Sequence, residues 1–252
     1  MNVLGHAYIV AQLSPIRAEK QLLIVGSLLP ESFPFMSDMI DFPFNNEEIH
    51  EGGLTLLNFL ENNYPQKRSL ALGIMSHSRQ FGADGWNEEA EKYCGSRRSE
   101  YIERIAQISQ ITADVAQSRL HNFSWWVIDW RILETYPSEV EEIRQAIINV
   151  NVEEMADLLA KGFSKDFGKV REVVERLFRH IYQQDDFSDL RGLMRIWARQ
   201  AAGLPEKDKV SVDKAVALVQ ELSELVGNEW YSLLQMVEER VRGNLQRYLS
   251  PE

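Results

Sequence analysis

The chain has 252 residues, 44% hydrophobic and 26% charged, with a formal net charge of −11. That length can bury a sizeable core, and the composition is that of a globular protein. The acidic balance argues against broad binding to a phosphate backbone, which needs a basic surface, and the single Cys94 excludes an internal disulfide and a thiolate-rich zinc site.

A lone cysteine fits a reducing compartment. Residues 1–12 hold no basic side chain and place His6 inside their apolar stretch, a poor signal peptide. The apolar run around Leu22–Leu29 is too short to span a bilayer. The expectation is a cytoplasmic protein with no transmembrane segment. Apolar residues recur at spacings of three and four, as in Leu54, Leu57 and Leu60, and no alternating strand stands out. The expected class is all-α, a multi-helix bundle.

In chain order, the first helix is expected over residues 3–13, stopping near Pro15, and the second over 17–29, ending at Leu29-Pro30. Residues 30–46 read as a loop, broken by Pro30, Pro34 and Pro43 and filled by Phe33, Phe35, Phe42 and Phe44. So many aromatics suggest a loop that packs down or borders a pocket. Asn45 with Glu48 has the form of a capping box, opening a helix that carries His50 in its first turn and ends near Asn62-Asn63-Tyr64-Pro65. The next helix is expected over 66–81, with His77 near its end, before Gly82 and Gly85 break the chain. Helices over 97–118 and 121–135 follow. Beyond residue 138 charged amphipathic helices are expected over 138–149, 152–161, 166–183, 187–201 and 211–247, the last broken near Gly227. Residues 1–137 thus form a core carrying the histidines, and 138–252 a set of helices packed on it as one continuous unit.

Four of the five histidines, His6, His50, His77 and His121, fall in the first half, and carboxylates accompany them at Glu31, Glu51 and Asp84. Dispersed His and Asp/Glu on helices is how a helical protein gathers a borderline cation such as zinc. For each histidine alone, a core imidazole bonded to a backbone carbonyl is the plain alternative. Asp84, seven residues past His77, would lie about 10 Å along a continuous helix, so it joins the histidine only if Gly82 ends the helix and the chain folds back; otherwise Ala-Asp-Gly is a turn. Asp129 stands about 12 Å along the helix from His121 and is expected outside any site. Trp125, Trp126 and Trp130 read as core packing, and His180 as peripheral.

Two functions are compatible with this pattern. One is metal-assisted hydrolysis, in which His6, Glu31, His50, His77, Asp84 and His121 hold one or two zinc ions, Asp84 and Glu31 are the catalytic carboxylates, and the loop over 33–44 lines the cleft. The other is a non-catalytic helical module that has lost the metal and binds a partner, or a second copy of itself, through stretches such as 211–247. Membrane-surface binding fits poorly, since no basic amphipathic helix stands out.

Four segments in order resemble the zinc-dependent phospholipase C family, which is related to the zinc-dependent single-strand nucleases. They are His6-Ala-Tyr-Ile-Val-Ala, Gly26-Ser-Leu-Leu-Pro-Glu31, Leu72-Gly-Ile-Met-Ser-His77 and His121-Asn-Phe-Ser-Trp125, within roughly residues 1–135. The resemblance implies an all-helical phospholipase C/nuclease-like core, a site of up to three zinc ions, and a metal-dependent phosphodiester hydrolase whose substrate is a small phosphodiester or phospholipid headgroup. This chain departs from the pattern. Glu31 replaces an aspartate. Phe81 stands where a carboxylate is expected four residues after the helix histidine, and Trp125 replaces the closing glutamate. A further histidine between the last two motifs is absent. A one- or two-metal site is therefore what the resemblance implies here.

Overall fold

A computed structural model describes residues 3–14, 16–32, 41–202 and 209–249. Among these the fold is all-helical. The N-terminal elements are α1 (Val3–Ala11), α2 (Arg17–Leu28), α3 (Asn46–Glu51), α4 (Gly53–Asn63), α5 (Arg68–His77), α6 (Asn87–Glu91), α7 (Arg98–Ser109) and α8 (Ala113–Thr135). The C-terminal ones are α9 (Pro137–Ile148), α10 (Val152–Phe163), α11 (Phe167–Arg176), α12 (Leu190–Ala201), α13 (Val212–Val226) and α14 (Glu229–Leu249). One hydrophobic cluster runs through both halves, from Val3 and Leu4 to Val241 and Leu245. α9 packs on α1 and α2, and α14 on α1, α5 and α8. No helix among the described residues is long and apolar enough to cross a membrane.

The centre of the N-terminal half is the crossing of α2 and α5, where the backbones touch. A Cβ on Gly73 would lie 2.3 Å from the Leu23 carbonyl oxygen and 2.8 Å from Gly26 Cα, and one on Gly26 would lie 2.2 Å from the Leu70 oxygen. Only residues without a side chain permit this approach. It brings the C-terminal end of α2 against the C-terminal end of α5, and those ends carry Ser27 and His77.

Several expected boundaries move, each for a local reason. The Asn45–Glu48 capping box forms, with the Asn45 side chain accepting from Glu48 N and the Glu48 carboxylate from Asn45 N, both at 2.8 Å. The helix it opens closes at Glu51, because the chain kinks at Gly52. A Cβ there would meet the Glu48 oxygen at 2.1 Å and the Phe163 ring at 2.7 Å. His50 therefore sits in the last turn of a short helix.

α5 ends at His77, four residues before the expected limit, as Ser78 turns extended (φ −55°, ψ 160°). The Ser78 hydroxyl donates to Met75 O and accepts from Phe81 N, closing the turn. The break expected between 118 and 121 falls earlier. Gln110 takes the left-handed conformation (φ 55°), and Thr112 caps the new helix by accepting from Val115 N. α8 then runs unbroken for 23 residues, so His121 lies inside a helix rather than at a start. The break near Gly227 is present, at φ 55°.

Phe33 and Phe35 lie outside the described residues. Phe44 is buried against Phe42 and Phe163, ring centroids 5.7 and 5.4 Å away, and so packs down onto α10. The tryptophans do pack in the core: Trp125 and Trp126 are buried, and Trp125 Nε1 donates to the Asn87 side chain at 2.7 Å.

Candidate metal centre

Five residues expected as ligands come together from five segments. His6 arrives on α1, Glu31 on the short turn after α2, His50 on α3 and His77 at the end of α5. Asp84 reaches them on the turn Ala83–Trp86. The fold-back that Asp84 required is made by Ser78 and Gly82. A Cβ on Gly82 would strike the Ser76 oxygen at 2.0 Å, so the chain can double back against α5 only at a glycine. The Glu51 carboxylate steadies the same turn by accepting from Arg79 N at 2.9 Å.

The side chains form two triplets, His6–Glu31–His77 and His50–His77–Asp84, each with ligand atoms mutually within 4.8 Å. His6 Nε2 is 3.4 Å from Glu31 Oε1 and 3.9 Å from Asp84 Oδ1. His77 Nε2 is 3.5 Å from Asp84 Oδ2 and 3.9 Å from Glu31 Oε1. Two donors bound tetrahedrally to one ion at 2.0–2.2 Å are about 3.4 Å apart, so these spacings fit a shared cation. The donor set, neutral imidazoles with carboxylates, suits a borderline divalent metal. These residues could hold one, and His77 links both triplets. Its Nε2 offers a single lone pair, so a second ion would have to share Asp84 or Glu31, each of which faces both His6 and His77.

The surroundings set the imidazoles correctly for this. His77 Nδ1 lies 3.0 Å from the Ser27 carbonyl oxygen, and His50 Nδ1 lies 3.0 Å from the Asn46 oxygen. A carbonyl only accepts, so each Nδ1 carries a hydrogen, which leaves Nε2 as the ring atom that a metal would take. Burial, and the His6 ring stacked on it at 3.9 Å, push His77 down to about 3, so it is neutral at pH 7. Burial raises Glu31 above the usual carboxylate value. Burial also disfavours charge on Asp84, but the His77 and His6 imidazoles outweigh it and hold that carboxyl below its ordinary value. The two carboxylates thus differ in proton affinity although they share one cluster.

His121 lies outside both triplets. Its Nδ1 is 3.9 Å from the Glu91 carboxylate, and burial pushes it down to about 4. The expectation that it joins the other imidazoles is corrected by its place on α8, which faces α6 rather than the end of α5. Glu91 had no signal in the sequence, being one of several glutamates in Asn87-Glu88-Glu89-Ala90-Glu91. Phe81, at the position where the resemblance expects a carboxylate, is buried. Its ring packs on Tyr248 and its carbonyl accepts from Asn244 on α14. Asp129 is fully buried outside both triplets and caps α1, its two oxygens accepting from Leu4 N at 2.9 Å and Gly5 N at 2.8 Å. His180 is exposed.

A cavity of about 530 Å³ opens over the cluster, lined by Asn46, Glu47, His50, Glu51, Arg79, Gln80 and Asp84. His6 and His77 are buried at 1% and 2% exposure, while Asp84 at 18% lines the cavity together with His50. No family model, curated protein or solved structure matches the chain.

Proposed function

We propose that the protein is a metal-dependent phosphodiester hydrolase, a divergent relative of the zinc-dependent phospholipases C. The observation that carries this reading is the convergence of His6, Glu31, His50, His77 and Asp84, from segments spread over 78 positions (84 − 6), at ligand spacings beneath an open cavity. Glu31, His6, His50, His77 and Asp84 would hold one or two ions, with zinc the metal that best suits imidazole and carboxylate donors. A cation bound there supplies Lewis-acid polarisation of a phosphoryl oxygen and a water that ionises near neutral pH.

The chain's own groups divide the remaining work. Asp84 is ionised and faces the cavity, so it serves either as a further ligand or as the group that orients the attacking water. Glu31, raised by burial, is the carboxyl more disposed to keep a proton, and pairs of carboxyls driven apart in this way commonly share acid and base duties. The Nδ1 bonds of His77 and His50 keep both rings from turning as charge develops. The cavity suits a small phosphodiester or a phospholipid headgroup rather than a duplex, given the acidic chain.

The competing reading, a helical module that has lost its metal, draws support from Phe81 and Trp125 in the core and from His121 lying apart. It leaves the inward-turned lone pair of His77 without a purpose. Metal analysis of protein purified without a histidine tag separates the two. About one equivalent or more of a divalent metal is expected, lost in His77→Ala, together with hydrolysis of bis(p-nitrophenyl) phosphate that a chelator abolishes. Metal content well below one equivalent after incubation with zinc would overturn the proposal.

A further inference from the structure

The cavity over the cluster does not end at Arg79. A second cavity of about 310 Å³ shares Arg79 and Gln80 with it and is otherwise lined by Gly82, Gly85, Trp86, Glu89, Arg240 and Asn244. One wall is the turn that delivers Asp84. The other is α14, from the C-terminal half, held to that turn by the bond from Asn244 Nδ2 to the Phe81 oxygen at 2.9 Å.

The charge of this second hollow runs against the balance of the molecule. Acidic residues outnumber basic ones by 38 to 27, and several arginines elsewhere are held by carboxylates, Arg97 and Arg104 by Glu221, Arg195 and Arg199 by Asp186. Arg79 and Arg240 have no ion-pair partner among the described residues. The one carboxylate lining the hollow, Glu89, is 3.4 Å from Lys92. Two unpaired guanidiniums flanking one polar cavity, with a side-chain amide and the edge of a tryptophan beside them, make a recognition surface for a compact anion; guanidinium forks match phosphate oxygens in shape as well as charge.

We infer that the cavity lined by Arg79 and Arg240 is a subsite for a second phosphate, so that the preferred substrate is a phosphodiester carrying a phosphomonoester on one of its two alcohol portions. The inference rests on the hydrolase reading for the position of the scissile bond. Arg79 stands at the junction of the two cavities and Arg240 lies at the far wall. The scissile diester therefore sits over His50 and Asp84 while the second phosphate occupies the hollow beyond residue 80. The role also gives α14 a part in the site: without Arg240 the hollow keeps only one cation. Phosphorylated phosphodiesters occur both among nucleotides and among inositol-containing lipid headgroups, and the two arms of the test tell these apart.

The experiment compares matched substrates that differ only in the second phosphate. In one arm, thymidine 5′-(p-nitrophenyl phosphate) is compared with its 3′-phosphate. In the other, glycerophosphoinositol is compared with its ring-phosphorylated form. The expected result is a kcat/KM at least about tenfold higher for the phosphorylated member of one pair, mostly in KM, as charge-assisted contacts of this kind contribute. Which pair shows it identifies the source. Arg240→Gln, an exposed helix position, should abolish the preference while leaving the unphosphorylated member unchanged. Equal kcat/KM within both pairs, or a preference that survives both Arg240→Gln and Arg79→Gln, overturns the inference. Should no substrate turn over, the hydrolase reading has failed by itself. Calorimetric binding of thymidine 3′,5′-bisphosphate against thymidine 5′-monophosphate, in chelator, then tests the subsite: tighter binding of the bisphosphate, lost in Arg240→Gln, supports it, and equal binding refutes it.

Discussion

Replacing Gly73 with alanine tests the link between helix packing and the cluster. The added Cβ would lie 2.3 Å from the Leu23 oxygen and 2.8 Å from both Gly26 Cα and Ser27 N, all backbone atoms. An ordinary carbon-to-oxygen contact is about 3.4 Å, so α2 and α5 must part by about 1 Å. Overpacking of a rigid contact costs about 1–3 kcal/mol. The same movement stretches the bond from His77 Nδ1 to the Ser27 oxygen, now 3.0 Å, beyond hydrogen-bonding distance. A buried N–H left without its acceptor adds about 1–3 kcal/mol.

A combined loss of about 3 kcal/mol lowers Tm by roughly 6–12 °C in a protein of this size, read by calorimetry or circular dichroism. Metal affinity should fall about 10- to 100-fold, because the carbonyl that orients a ligand ring has moved. Gly243→Ala is the control. It lies exposed on α14 with nothing within 4 Å of an added Cβ, so it should gain about 0.5–1 kcal/mol. If Gly73→Ala melted within about 2 °C of the wild type, with metal affinity unchanged, the claim that this crossing holds the site in place would be wrong.

Two further outcomes follow from buried groups. His77 is pushed from 6.5 to about 3. The unfolded chain therefore binds a proton that the folded one refuses, and stability present above pH 6.5 is lost as pH falls toward 3. In chelator, urea titrations should show wild-type stability dropping across that window, by an amount on the order of 5 kcal/mol at most, with a flatter profile in His77→Gln; identical slopes would contradict it. Asp129→Ala removes both acceptors from the start of α1, and unfolding in urea should register a loss of about 1–3 kcal/mol together with weaker metal binding through His6. A variant as stable as the wild type would show that water replaces the carboxylate there.

Much of the helical plan is legible from local chemistry. Asn45 with Glu48 marks a helix start because both partners lie within four residues, and Gly227 marks a stop because its conformation is costly for other residues. The return of Asp84 to His77 is also legible in outline, since Gly82 must end any helix running through it. What escapes is set at a distance. Gln110 adopts a left-handed conformation without being glycine or asparagine, so the true break before α8 carries no ordinary marker. The His121 segment contains nothing that stops a helix, and its partner Glu91 is indistinguishable from its neighbours. The kink at Gly52 answers to Phe163, more than a hundred positions later. The second cavity depends on α14, whose Arg240 resembles any other charged residue on an amphipathic surface.

The cap on α1 has a bearing on how the chain assembles. Nine residues are too few to hold a helix in water unaided, and the opening amides of this one are satisfied by a side chain 125 positions downstream. α1 leaves the ribosome well before α8 and waits for it before it can settle. His6 is consequently synthesised long before the side chain that fixes its helix, and a nascent chain stalled short of residue 129 holds an incomplete centre however well its other segments have folded.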